Sequence, residues 1–280
     1  MKLPSPPEFE SESESSPKAV EAADFLRQCL GSQTEPVQRY QWQGEQVWVK
    51  RSVAPRPRWH FWLLGMFASA VRLPALAPVP NPGGEQAVRT EARRLRDLAA
   101  RGLRVPPVLA ELPEGFLMEH LGRAGQPTPS LAEEMNENTG TRPDQVLALF
   151  EQGLKAVGRV HAVGTCLSQG FARNLVRCPD GVIGFVDFED DPHAALSMAQ
   201  CQLRDILCYL HSAAVYLLEA GRLDAARAPW QAWLAERPPA VRALVVESAR
   251  RMRWLRHLPE DRRWGRDLQR ARAAWALLEG

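Results

Sequence analysis

Read from His161, the chain runs His161-Ala162-Val163-Gly164-Thr165-Cys166-Leu167-Ser168-Gln169-Gly170-Phe171-Ala172-Arg173-Asn174-Leu175-Val176. It turns at Pro179-Asp180-Gly181 and returns through Gly184-Phe185-Val186-Asp187-Phe188-Glu189. Two short apolar runs around a Pro-Asp-Gly turn predict a hairpin spanning Leu175 to Phe188. An Asn just before one strand and an Asp just after its partner then end side by side at the hairpin base. Two oxygen ligands converging there suit Mg²⁺, which keeps several waters and takes its remaining ligands from nucleotide phosphates. Asn174 and Asp187 are therefore the candidate metal and cofactor ligands.

Upstream, Val37, Tyr40 and Trp42 precede Gly44-Glu45, and Val47-Trp48-Val49-Lys50 follows, which predicts a second hairpin ending in a lysine. A Lys at the end of an apolar strand sets a point charge at the sheet edge, where phosphate oxygens could meet it. Gly84 to Ala100 carries Val88, Ala92, Leu95 and Leu98 at helical spacing and stops at Gly102. Glu91 lies on that helix. It either orients Lys50 from the sheet-facing side, or pairs with Arg94 on a solvated face. Val105 to Leu109 and Gly115 to Glu119 read as two further strands, and the rest as helices. Strands and helices segregate along the chain, which predicts an α+β architecture of two lobes.

In this order the motifs resemble the protein-kinase-like superfamily, above all its bacterial lipopolysaccharide-kinase and aminoglycoside-phosphotransferase branches. There a helix ending in His-x-x-Gly leads to a loop His-Gly-Asp-x-x-x-x-Asn, a hairpin, and Asp-Phe or Asp-Trp followed by Glu. His161 and Gly164 match the helix end, Asn174 the loop Asn, and Asp187-Phe188-Glu189 the second metal motif. Lys50, Glu91 and the hinge-like Gly115-Phe116-Leu117-Met118-Glu119-His120 fall in the family's order, and Arg204-Asp205 resembles the buried Asp that supports the loop. The resemblance covers about residues 36 to 215.

The resemblance implies a two-lobed protein-kinase-like fold binding ATP and Mg²⁺ in the cleft between lobes. Composition marks residues 1–24 as a disordered acidic Ser/Pro tail, a short helix is expected around Val20 to Leu30, closed by Gly31, and prolines bracket an apolar insert at 51–84. The resemblance then implies a small lobe over 25–122 that contains the insert, and a mainly helical large lobe over 123–280. Lys50 would hold the α and β phosphates and Glu91 would orient it. Glu119 joins Lys50, Asn174 and Asp187 as a cofactor-binding candidate. The implied reaction moves phosphate from ATP to a hydroxyl of a small-molecule or lipid-linked saccharide or envelope acceptor.

Two positions depart from the pattern. The catalytic aspartate position, five before Asn174, holds Gln169. A glutamine has no usable proton-accepting pKa, so Gln169 can position an acceptor but cannot act as general base. No G-x-G-x-x-G precedes Lys50, and Gly31 alone stands near that place. Both departures fit an alternative, a pseudokinase that binds nucleotide as a scaffolding or regulatory protein.

Composition bounds the remaining classes. The 280 residues carry 35 Lys and Arg against 33 Asp and Glu, for a net charge of +2, too near neutral for a dedicated nucleic-acid binder. Five cysteines form no C-x-x-C pair, which argues against a zinc knuckle or a disulfide framework. No basic segment followed by an apolar core opens the chain, so a cytoplasmic location is expected. The apolar run Trp59 to Val71 is thirteen residues without Lys, Arg or acid, too short to span a bilayer. Its two Trp and two Phe suit either packing on the small lobe or an interfacial membrane helix. Residues 250 to 272 bring nine Arg against three acids, interleaved with Trp254, Leu255, Leu258, Trp264 and Leu268. That reads as a core stripe with a solvated basic face, or as a docking patch for the anionic inner membrane.

Overall fold

A computed structural model of the chain describes residues 17–53, 83–258, 263 and 265–279. The apolar insert, including Trp59, Phe61, Trp62 and Phe67, lies almost wholly outside the described residues. The elements run α1 (Pro17–Ser32), β1 (Val37–Trp42), β2 (Glu45–Arg51), α2 (Gly84–Ala100), β3 (Val108–Leu112) and β4 (Gly115–Glu119). There follow α3 (Leu131–Asn138), α4 (Pro143–Ala162), β5 (Leu175–Arg177), β6 (Ile183–Phe185), α5 (Met198–Glu219), α6 (Arg227–Ala235), α7 (Pro239–Arg251) and α8 (Arg266–Glu279). The fold is α+β, with eight α-helices and two antiparallel sheets among the described residues.

The four-stranded sheet has the order β1-β2-β4-β3. Gln43 and Gly44 both take positive φ, 50° and 84°, the geometry a two-residue hairpin loop needs to match strand twist. Side chains alternate across the sheet. Val47, Val49, Leu117 and Ala110 face α1, where they are buried with Ala22, Leu26 and Cys29. Phe116 faces the other way, into a second core shared by Val88, Ala92, Leu95 and Leu98 of α2 and the helices that follow. The sheet is thus a layer between α1 and α2, and the larger core continues without a break from α2 into the helical part.

Two expectations shift. The helix expected around Val20 to Leu30 is present but runs from Pro17 to Ser32, into the tail expected to lack structure to residue 24, because Ala22 and Leu26 bury an apolar face against the sheet. The strand expected at Val105 to Leu109 begins at Val108, because Pro106 and Pro107 have no N–H to give to a ladder. The helix Gly84–Ala100 and the strand Gly115–Glu119 fall where the sequence puts them.

In the helical part, α5 begins at a capping box. The Ser197 side chain accepts from Gln200 N–H while the Gln200 side chain accepts from Ser197 N–H. The helix carries Asp205 and Tyr209 into the core, and Tyr209 Oη donates to the Phe150 carbonyl of α4 at 2.7 Å. In the Arg-rich segment Leu255 is buried, while Trp254 is 41% exposed. Arg250 and Arg251 pair with Glu247, Arg270 with Asp267, and Arg266 with Glu219. Among the described residues no helix is long and apolar enough to cross a membrane.

Candidate functional site

Lys50 stands opposite Phe116 in the β2–β4 ladder and shares its sheet face with Trp48. On α2 the buried positions Val88, Glu91, Ala92, Arg94, Leu95 and Leu98 form one stripe, which turns Glu91 toward the sheet. Lys50 Nζ lies 2.6 Å from Glu91 Oε2, 3.0 Å from Glu189 Oε1 and 3.6 Å from Asp187 Oδ1. The alternative partner Arg94 is engaged elsewhere: it donates to the Cys166 carbonyl at 2.7 Å and reaches Asp191 at 3.3 Å.

Burial works to lower the Lys50 pKa, but Glu91, Glu189 and Asp187 outweigh it and hold the ammonium well above its ordinary value. Glu91 is pushed up by burial, and the neighbouring carboxylates add to this while Lys50 opposes it. Three carboxyl groups surround a single ammonium, so acids outnumber bases in this corner. A polyphosphate would be repelled from such a corner unless a cation came with it. Among the described residues no group of three or more His, Cys, Asp or Glu side chains forms a metal cage by itself. Mg²⁺ needs no such cage, since one or two protein oxygens and phosphates suffice.

Asn174 is drawn to the same place by the small hairpin. Leu175 pairs with Phe185, and Val186 N–H donates to the Asn174 carbonyl at 3.0 Å, so Asn174 and Asp187 flank the open end. Asn174 Nδ2 donates to the Gln169 carbonyl at 3.1 Å, leaving Oδ1 without a hydrogen bond among the described residues. Asp187 has φ of +70° and Ser168 φ of +75°. Each left-handed non-glycine residue costs about 1–3 kcal/mol, and such strain clusters at functional sites. At Asp187 it is held by the buried Phe188, whose N–H donates to Glu91 Oε1 at 3.4 Å.

The loop between α4 and β5 rests on Asp205, which is fully buried. Asp205 Oδ2 accepts from Leu167 N–H at 2.7 Å and lies 3.2 Å from His161 Nε2. Gly170 lies so close to α5 that a Cβ there would sit 2.8 Å from the Asp205 carbonyl oxygen, which requires glycine. The Gln169 side chain donates from Nε2 to Asp190 Oδ2 at 2.8 Å, and Ser168 Oγ donates to the Asp190 carbonyl at 2.9 Å.

Lys50, Glu91 and Asp187 are thus brought into contact, with Asn174 beside Asp187 and Gln169 tied to Asn174. Glu119 is not among them. It pairs with Val47, on the sheet face opposite to Lys50, and lines a separate cleft of about 330 Å³ with Trp42, Glu45 and Lys18. On the Lys50 face the side chain near the hinge-like segment is instead Trp48, whose Nε1 donates to His120 Nδ1 at 3.1 Å. Gly31, in the expected place of a phosphate loop, lies inside α1. Glu189, which the sequence placed in the second metal motif, contacts Lys50, and Asp190 and Asp191, to which sequence reasoning assigned no role, also belong to this neighbourhood. Four acids within the five residues Asp187 to Asp191 were the available signal. No known protein-family model matches the chain, and no curated protein matches it.

Proposed function

We propose that the chain is a two-lobed, kinase-like phosphotransferase that binds Mg·ATP and moves its terminal phosphate to a hydroxyl. The acceptor class is a small-molecule or lipid-linked saccharide or envelope precursor. The observation that carries this reading is the 2.6 Å pair of Lys50 and Glu91 with Asp187 at 3.6 Å from the same ammonium. A lysine fixed by a helix glutamate and facing a metal-type aspartate is the arrangement by which kinases position phosphates. Asn174 Oδ1 and an Asp187 carboxylate oxygen would hold Mg²⁺, which when bound neutralises charge on the phosphates. Lys50 orients the nucleotide, Glu91 fixes Lys50, and Asp205 with His161 holds the loop that presents Asn174.

A second reading, a pseudokinase that binds nucleotide without turnover, is favoured by Gln169 in the loop and by the helical setting of Gly31. Both readings require nucleotide. A thermal-shift titration with ATP, with and without Mg²⁺, tests them together. At about 100 times its dissociation constant a one-site ligand stabilises the protein by about 2.7 kcal/mol. Asp187→Asn should abolish the Mg²⁺-dependent part of the shift and leave the fold intact. No shift at millimolar nucleotide refutes both readings, and a normal Mg²⁺ response in Asp187→Asn refutes the metal assignment.

A further inference from the structure

We propose that Asp190 is the proton acceptor of the transfer, supplying from the strand side the carboxylate that the loop lacks at Gln169. The inference rests on the phosphotransferase reading above. It starts from a census of the acids around the site. Glu91, Asp187 and Glu189 are committed to Lys50. Asp191 is held by Arg93 at 2.6 Å and by Arg94 at 3.3 Å. Asp205 has no exposed surface and is bound to Leu167 N–H and His161. Asp190 differs from all of these: among the described residues it makes no ion pair, and its one side-chain bond is the 2.8 Å contact from Gln169 Nε2 to Oδ2.

A carboxylate paired with a cation is a poor base, because protonation would discard that pairing. Asp190 has no cation paired with it among the described residues. Oδ1 takes no hydrogen bond among the described residues, and the residue keeps 9% of its surface exposed. Its position is fixed at two points, by Gln169 Nε2 on the side chain and by Ser168 Oγ on the carbonyl. Gln169 therefore aligns the base without being one, which gives chemical sense to an amide where a carboxylate would otherwise stand. A carboxylate at position 169 would lie against Asp190 and repel it.

In the step, the acceptor hydroxyl oxygen forms its bond to the γ-phosphorus as the bond from that phosphorus to the β,γ-bridging oxygen breaks. The electron pair of the broken bond leaves with ADP. The hydroxyl proton passes to the Asp190 carboxylate and then to solvent.

The test uses the full chain with Mg·ATP and water as the acceptor, reading released phosphate. Asp190→Asn keeps the shape and can still accept from Gln169, so it removes basicity alone. It should bind Mg·ATP within about twofold of wild type and lose hydrolysis by about 100-fold or more, the usual worth of a positioned base. Asp190→Ala should lose as much, and added formate should restore turnover to it but not to Lys50→Ala. Hydrolysis at the wild-type rate in Asp190→Asn overturns the proposal, as does failure of formate to rescue Asp190→Ala. Wild type that binds Mg·ATP without hydrolysing it overturns this inference alone. Wild type that does not bind Mg·ATP overturns the phosphotransferase reading as well.

Discussion

Two charged helical stretches that look alike in sequence end in opposite environments. On α2, Glu91 sits among arginines at 89, 93 and 94, and on α7 Glu247 sits before arginines at 250 and 251. Glu91 is buried and turned to Lys50 on a different element, whereas Glu247 pairs with Arg250 at 2.8 Å within its own helix. Local helix geometry offers each acid an arginine three residues on, Arg94 for Glu91 and Arg250 for Glu247. The sheet face opposite α2 brings a lysine, whereas among the described residues Glu247 pairs only with arginines of its own helix. A long-range cation, rather than local spacing, decides which acid becomes part of a site.

The strongest way to break that contrast is to remove the distant cation. Lys50→Ala leaves Glu91 buried beside two further carboxylates, and loss of one partner of a buried pair costs about 3–5 kcal/mol. Urea unfolding should show that loss, and Lys50→Met combined with Glu91→Leu should recover most of it. A double variant as unstable as Lys50→Ala would show that the pair is not the source. Because the folded pKa of Lys50 is raised above its ordinary 10.5, its contribution is present below that value. The contribution is lost only as pH rises through the higher folded value. Melting temperature should therefore owe nothing to Lys50 titration between pH 7 and 10.

Adding an acid sharpens the contrast from the other side. Gln169→Asp places a second carboxylate against Asp190, and such like-charge neighbours raise one of the two pKa values. A raised acid destabilises above its folded pKa, so the variant should lose about 1–2 kcal/mol at pH 7, one pKa unit being about 1.4 kcal/mol. The deficit should shrink as pH falls toward 4. A constant deficit across that range would point to lost packing instead.

A smaller effect is expected at Asp191. Burial works to raise its pKa, but the hydrogen bond from Arg93 and the charges of Arg94 and Arg93 bring it below the ordinary 3.8. Its contribution is present above that ordinary value and lost as pH falls through the lower folded pKa. Asp191→Asn should lose that modest contribution at neutral pH and converge on wild type as pH falls below 4, which flattens the acid limb of the stability profile.

The least effect belongs to the surface cluster. Arg250 and Arg251 hold the half-buried Glu247 carboxyl down to about 2, yet Glu247→Gln should change the melting temperature little, since ion pairs at the surface are screened by solvent. The same basic surface has a separate test. If it docks on anionic membrane, full-length protein should co-sediment with phosphatidylserine vesicles at low salt and release at high salt. Protein that stays in the supernatant at low salt excludes that docking.

Much of the site was legible because its signals are local. Gly44 after a polar residue, Pro179-Asp180-Gly181 and the 3.6-residue period of Val88, Ala92 and Leu95 each constrain only a few neighbouring dihedrals. These fixed both hairpins, α2, and the placing of Asn174 and Asp187 at one hairpin end. They also put Trp48 and Lys50 on one face of β2, since alternation is a property of the strand alone.

What only the tertiary structure decided was which charges meet across long loops. The sequence left Glu91 divided between Lys50 and Arg94. Packing resolved it, because Arg94 found the Cys166 carbonyl and Asp191 while Lys50 had no other counter-ion of comparable burial. Glu119 was assigned to the nucleotide by its order along the chain, yet strand register turns it to the far face, away from Lys50. Asp190 carried no signal of its own inside an acidic run. Its difference from Asp187, Glu189 and Asp191 is that no cation among the described residues pairs with it across the fold, and such a long-range difference leaves no pattern in local sequence.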